Sequence, residues 1–182
     1  MKRAVTVLVI MMMILSAGRE ARASESSVGV GLGYVKAKNV ESTILYSGDF
    51  RFHLSRGFAL APEISYWKKA ATIQAVTASI KDLQFGVNAL FVSHAGRDVE
   101  LFVGGGGGIH SLTGSLAVGS VSAVSNSTTK GGLDVLGGAD FKAGDALSFF
   151  LAARYDWVLG LSGEDPRRLD QVKFYGGFRL RF

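Results

Sequence analysis

Apolar and polar residues alternate along most of this chain. In "SVGVGLGYV" (27–35), Val28, Val30, Leu32 and Tyr34 take every second position, with Gly29, Gly31 and Gly33 between them. "ILYSGDFRFHL" (44–54) sets Ile44, Tyr46, Phe50, Phe52 and Leu54 against Leu45, Ser47, Asp49, Arg51 and His53. "FALAPEISYW" (58–67) sets Phe58, Leu60, Ile64 and Tyr66 against Ala59, Ala61, Glu63 and Ser65. "KDLQFGVNALF" (81–91) sets Leu83, Phe85, Val87, Ala89 and Phe91 against Asp82, Gln84, Gly86 and Asn88. The same period runs through "ELFVGGGGGIH" (100–110), "LDVLGGADF" (133–141), "ALSFFLAARYDWVL" (146–159) and "KFYGGFRLRF" (173–182). Side chains of a strand point alternately to its two faces, so this period predicts eight β-strands, each with one apolar and one polar face. No amphipathic helix competes with them.

The connections alternate too. Tight links follow the second, fourth and sixth strands, near 55–57, 94–98 and 142–145. Longer ones follow the others, near 36–43, 68–80, 111–131 and 160–170. Short turns at one rim and long loops at the other are expected of an all-β, eight-stranded antiparallel up-and-down transmembrane β-barrel. Apolar faces of about 9–11 residues suit a tilted spanning strand. In hydrocarbon every backbone polar group needs an internal partner, so the sheet must close. Eight strands leave an interior that side chains fill, too narrow for a wide pore. The polar face then supplies a lumen charge network of Asp49, Arg51, Glu63, Asp82, Glu100, Asp134, Asp140, Arg154, Asp156, Arg179 and Arg181, with His53 and Asn88 beside it. Both signs occur there, so buried charges can pair. Tyr34, Tyr46, Tyr66, Tyr155 and Trp157 fall outward near the long-loop rim, and Phe58, Phe91, Phe141 and Phe182 near the short-turn rim, as two interfacial girdles. The rival fold is a soluble lipocalin-like barrel, with the apolar face lining a cavity. The girdles, the loop asymmetry and the terminal Phe182 favour the membrane form.

The start of the chain sets the compartment. Lys2 and Arg3 precede an apolar run from Ala4 to Ala17, and Ala21–Ala23 reads "ARA". That pattern predicts a cleaved signal peptide over 1–23 and a barrel over 24–182. The chain carries 20 Lys+Arg and 15 Asp+Glu. Four of the basic residues and one acidic residue lie in 1–23, which leaves the remainder near neutrality at 16 against 14. No basic face marks a nucleic-acid surface. Cys is absent, which rules out a disulfide framework and a lipid-anchored Cys.

The last strand carries a resemblance. Phe182, with Phe174, Phe178 and Leu180 at alternate positions behind it and a glycine at Gly177, resembles the C-terminal assembly signal of bacterial outer-membrane β-barrels. The mature chain as a whole resembles the small outer-membrane barrels that include the OmpA transmembrane domain and the OmpX/Ail-type proteins. "VGVGLGY" and "LFVGGGGGIH" are similar to the glycine-spaced strands of that family. The resemblance implies residence in the bacterial outer membrane. The implied partners are the barrel assembly machinery, outer-membrane lipid and lipopolysaccharide. It specifies architecture rather than activity.

Candidate chemistry is sparse. Gly104–Gly108 lacks the Lys-Ser/Thr that a phosphate loop needs, so it reads as a strand approached closely by bulky neighbours. "HLS" (53–55) resembles the His-x-Ser of outer-membrane lipid A deacylases, but Arg56 stands where that motif has Asn, and His53 falls near the periplasmic turn. His110 and Ser111 are adjacent on one strand and face opposite ways. The three histidines show no metal-ligand spacing. No catalytic, cofactor-binding or metal residue is therefore assigned. Segment 111–132, "SLTGSLAVGSVSAVSNSTTKGG", is uncharged save Lys130. It reads either as a surface loop or as strand extensions whose edges take a protein partner, with Val118, Val121 and Val124 supplying apolar contacts. Lys68–Lys69 could meet lipopolysaccharide phosphates at the rim, and "GEDPRR" (163–168) is a polar turn. The expected role is structural or surface-interacting and non-catalytic. The alternatives are an outer-leaflet lipid A-modifying enzyme and a carrier of a small hydrophobic ligand.

Overall fold

A computed structural model describes residues 26–38, 40–73, 76–118, 121–159 and 169–182. The expected leader and the "GEDPRR" turn lie outside the described residues. Eight strands follow in order: β1 Ser26–Ala37, β2 Thr43–Ser55, β3 Phe58–Ile73, β4 Val76–His94, β5 Val99–Val118, β6 Val121–Lys142, β7 Leu147–Val158 and β8 Gln171–Arg181. Each pairs antiparallel with its sequence neighbour, and β8 returns to β1 to close the barrel. The seam runs from Ser27↔Arg181 to Ala37↔Gln171. Past it, Ser26 and Phe182 exchange backbone hydrogen bonds of 3.0 and 2.9 Å. No sheet edge is left within the barrel wall, as an apolar solvent demands.

The alternation maps onto the wall as the period requires. Val30, Leu32, Tyr34, Val87, Leu151, Phe174 and Phe178 are exposed on the outside, whereas Arg51, Asp82, Asp140, Arg154 and Asp156 are buried inside. A soluble barrel would invert this arrangement. The fold is a transmembrane β-barrel.

The sequence placed a loop at 68–80, which the structure corrects, and read 111–132 either as a loop or as strand extensions, of which the structure shows the second. β3 and β4 continue to Ile73↔Val76, and β5 and β6 continue to Val118↔Val121. Above the barrel the polarity of the two faces reverses: Thr77, Ser79, Ser111, Thr113 and Ser115 continue the lipid-facing phase, and Ala78, Ile80, Leu112 and Leu116 the lumen-facing one, so the strand period persists beyond the wall. Cross-strand hydroxyl pairs hold the hairpins: Thr72–Thr77 at 3.0 Å, Ser79–Ser115 at 2.8 Å and Thr113–Ser127 at 3.2 Å. A bulge at Leu116/Ala117 shifts the register near the tip.

Inward glycines make room for large lumen groups. A Cβ on Gly31 would stand 2.9 Å from the Phe150 ring, one on Gly138 2.6 Å from Phe102, and one on Gly132 2.7 Å from His110 Nε2. In the glycine run, a Cβ on Gly106 would stand 2.5 Å from Asn88 Oδ1 and 2.9 Å from the Asn88 Cα. Close approach, the reading favoured for this run over a phosphate loop, is what the backbone shows there.

Candidate functional site: a filled lumen and a protruding sheet

The lumen residues are set by strand phase and brought together by barrel closure. They form two ionic layers with an apolar layer between them. Near the short-turn rim, Arg51 bonds Glu100 at 3.1 Å and Asp140 at 2.7 Å. Arg179 bonds Asp49 at 2.8 and 3.1 Å and Asp140 at 3.1 Å. Arg181, His53 and His94 approach Glu100 at 3.7, 3.7 and 3.6 Å. Three guanidinium groups thus face three carboxylates.

Nearer the long-loop rim, Arg154 meets Glu63 at 2.6 Å, Asp134 at 2.8 Å and Asp156 at 2.6 Å. Lys173 bonds Asp156 at 2.7 Å and also reaches Gln84 and Ser65. Asn88 donates to Glu63 at 3.4 Å. Asp82 contacts His110 Nδ1 at 2.8 Å and accepts from Gln171 at 2.7 Å, while the Trp67 indole donates to Gln171 at 3.2 Å. Four carboxylates here face two fixed cations.

Between the layers lie Ala61, Leu90, Phe102, Leu136, Phe150, Ala152 and Tyr175, around a cavity of about 20 Å³, room for a single water. Arg51 stacks over the Phe102 ring at 4.3 Å and Arg179 over Phe150 at 5.1 Å. Val35, Ala37, Leu45 and Val158 are buried toward the outer mouth. The interior at these levels is packed side chain rather than aqueous channel.

All eleven residues assigned to the lumen from sequence face inward, within the two layers. The assignment left out Lys173, Gln171 and Trp67, although their strand phase places them there.

The histidines pair with acids of the lumen. His53 lies beside Glu100, and the Ser55 hydroxyl accepts from the Gly57 amide at 3.4 Å. His110 has an acid partner in Asp82, but its Nε2 faces Gly132, which offers no nucleophile. No group of three potential metal ligands occurs among the described residues. The C-terminal residues sort by phase: Phe174, Phe178, Leu180 and Phe182 are exposed outward, and Gly177 lies on the inner face opposite Gly31.

Above the barrel, β3–β6 stand up as a four-stranded sheet. β2 leaves β3 after Leu45↔Trp67, and β7 leaves β6 after Gly132↔Val158. From Val124 to Lys130, no strand covers the outer edge of β6 among the described residues. The Leu159 amide donates to Gly131 O at 2.8 Å, so by the two-residue period the backbone groups of Ser125, Ser127 and Thr129 point to the same edge. One face of the sheet is hydroxyl-rich. The other exposes Val76, Leu116 and Val124. The side chains of Val118 and Val121 lie outside those described.

Lys68 and Lys69 do not act as one patch. Adjacent strand residues face opposite ways, and Lys69 turns to Glu41 at 2.9 Å. The hydrogen bond and charge of Lys69 hold the exposed Glu41 carboxyl below its usual range.

No family profile matches the chain, and no curated protein matches its sequence. Solved structures do match in shape. Neisserial surface protein A superposes with TM-score 0.63 at 13% identity, covering 87% of this chain and 96% of its own. A major outer membrane protein from Thermus thermophilus gives 0.64 at 11%, covering 86% and 99%. The attachment invasion locus protein Ail of Yersinia pestis gives 0.56 at 15%, covering 87% and 99%. The fold is that of the small outer-membrane β-barrels. As such a barrel, the chain devotes its interior to packing and salt bridges.

Proposed function

We propose that the protein is an integral protein of the bacterial outer membrane that acts at the cell surface by binding a protein partner, without catalysis. The observation that carries this reading is the protruding sheet. Among the described residues no strand pairs with the β6 edge at Ser125, Ser127 and Thr129, and only Lys130 in segment 111–132 is charged. Edges left open in this way accept an added strand, while natural proteins with nothing to bind usually blunt them with charge or proline. The packed lumen supports a role other than a wide pore. His110 Nε2 faces Gly132 rather than a serine, which supports a role other than hydrolysis through that histidine. Ail is an attachment protein by name; at 15% identity that likeness bears on fold, and the surface role proposed here rests on the sheet.

Ser127→Pro tests it. The Ser127 amide points away from β5, so proline removes a backbone donor from the free edge and none from the β5 pairing; Ser127→Ala, which loses only the hydroxyl contact with Thr113, is the control. Cells carrying the wild-type or variant protein are compared for adhesion to immobilised serum proteins and for cell–cell sedimentation. Outer-membrane fractionation and faster gel migration before boiling check that both barrels are inserted and folded. Wild-type-dependent adhesion that Ser127→Pro abolishes is the expected result. Equal adhesion by cells with and without the protein overturns the surface role. Mass spectrometry of lipid A from the same cells is expected to show unchanged acyl chains; a lost or gained chain overturns the non-catalytic part.

A further inference from the structure

Lys68 and Lys81 stand directly opposite each other on β3 and β4. Both are exposed, and strand phase puts both on the outer face of the wall, in line with Ile64 and Tyr66 on β3 and with Leu83 and Phe85 on β4. Directly opposed residues have Cβ atoms roughly 4.5–5.5 Å apart, and like charges so placed destabilise a sheet. Neither lysine has an ion-pair partner among the described residues, in contrast to Lys69 with Glu41. The arrangement is therefore unfavourable unless something other than the described residues neutralises it.

Depth indicates what that is. Tyr66 precedes Lys68 by two residues, about 7 Å along a strand, and pairs with Tyr46 of the outer aromatic girdle. The lysines thus emerge just above the aromatic belt, at the level of lipid headgroups. Beside them, Thr113 pairs with Lys81 on the same face, and its hydroxyl lies 3.2 Å from that of Ser127. Ser79 and Ser115 lie one step higher. Two ammonium groups and a wall of hydroxyls, with no carboxylate of this face near them, suit a phosphate, whose several oxygens accept from more than one cation at once.

We infer that Lys68 and Lys81 clamp the phosphate of an anionic glycolipid in the outer leaflet, with Thr113 beside it. The inference rests on outer-membrane placement but not on any protein partner. The first strand turn beyond the membrane is then an attachment point for lipid, while the tip of the sheet stays free.

The test uses the full barrel refolded in zwitterionic detergent, where cellular location plays no part. Binding of bis-phosphorylated lipid A, of the same lipid dephosphorylated, and of inorganic phosphate is measured by native mass spectrometry. Lys68→Gln and Lys81→Gln are each expected to weaken binding of the phosphorylated lipid about three- to fivefold, near the upper end for an exposed ion pair. Lys68→Arg retains it, and Arg97→Gln, in a turn at the opposite rim, leaves it unchanged. A second readout changes sign. Without lipid A, Lys81→Gln melts at or above the wild-type temperature, because a like-charge pair is relieved; with lipid A it melts below. Equal binding of dephosphorylated lipid A, indifference to both Gln variants, or displacement of the lipid by inorganic phosphate overturns the assignment. A melting difference of one sign in both conditions does so too.

Discussion

Removing Arg154 probes the energetics of the lumen most directly. This guanidinium holds three carboxylates from three strands: Glu63 on β3, Asp134 on β6 and Asp156 on β7. Arg154→Met keeps much of the aliphatic stem and deletes the charge. Asp156 retains Lys173 at 2.7 Å. Glu63 and Asp134 keep no cation among the described residues. Removing one partner of a buried ion pair costs about 3–5 kcal/mol, and two stranded carboxylates place this variant near the upper end of that range. The assay is urea unfolding of barrel refolded into lipid vesicles. It is followed by tryptophan emission, to which buried Trp67 contributes, and by gel mobility. Adding Glu63→Gln and Asp134→Asn to the same chain is expected to recover about half the loss, since an unpaired amide costs only about 1–3 kcal/mol. A loss below about 1 kcal/mol for Arg154→Met would refute the reasoning, because such a value belongs to solvated pairs. So would a further loss, in place of recovery, on neutralising the carboxylates. Glu41→Gln is the internal contrast: its pair with Lys69 is open to solvent, and no measurable change in stability is expected.

Three further outcomes follow from close contacts and backbone pairing. Gly106→Val drives a side chain against Asn88 and the β4 backbone, and a reduced refolding yield with a loss of about 1–3 kcal/mol is expected, read by the fraction of fast-migrating species on a gel. Deleting Phe182 removes the Ser26–Phe182 hydrogen bonds at the seam, so stability in vesicles should fall by only about 1–2 kcal/mol. Insertion in cells should fall further if this strand is also read during assembly, which quantitation of folded barrel in outer-membrane fractions measures. Trp67→Phe deletes the donor to Gln171 and should cost about 1 kcal/mol in the same urea assay.

Strand number and facing were legible because glycines and charges on one face contrast with Val, Leu and Phe on the other. Arg51, Asp140 and Arg154 were placed inside by phase alone. Their pairing was not legible. Arg154 meets Glu63 only because β3 and β7 stand opposite each other in the closed wall, with three strands between them either way, and no local pattern encodes that distance. The outer hairpins were harder to read for a different reason. Around Val76–Ile80 and Ser111–Val118 the period persists but its polarity reverses: the lipid-facing phase turns to Ser and Thr and the lumen phase to Val, Ala, Ile and Leu, so the segments no longer match the pattern of the wall and 111–132 stood open between loop and strand extension. The Lys68–Lys81 opposition was hidden in the same way: the sequence shows Lys68 next to Lys69, and only the β3–β4 register shows which lysine it faces.

The lumen layers also settle a problem that the outer face cannot. Slipping one strand by a single residue would turn its charges into lipid, a large penalty. A slip of two residues would preserve the backbone ladder and leave Val, Leu and Phe facing outward, so neither hydrogen bonding nor lipid contact resists it. The cross-lumen bonds do. Arg51 ties β2 to β5 and β6, Arg179 ties β8 to β2 and β6, Lys173 ties β8 to β4 and β7, and Gln171 bonds Asp82 of β4 while accepting from Trp67 of β3. A two-residue slip moves a partner about 7 Å and breaks these ties at once, leaving charges buried without counter-charges. Buried ion pairs add little net stability over apolar packing, but they separate one register from its neighbours. With register specified inside, the segments above the lipid band are free of that task. Among the described residues they carry a β6 edge with no paired strand and two directly opposed lysines, features that a wall strand in hydrocarbon could not hold.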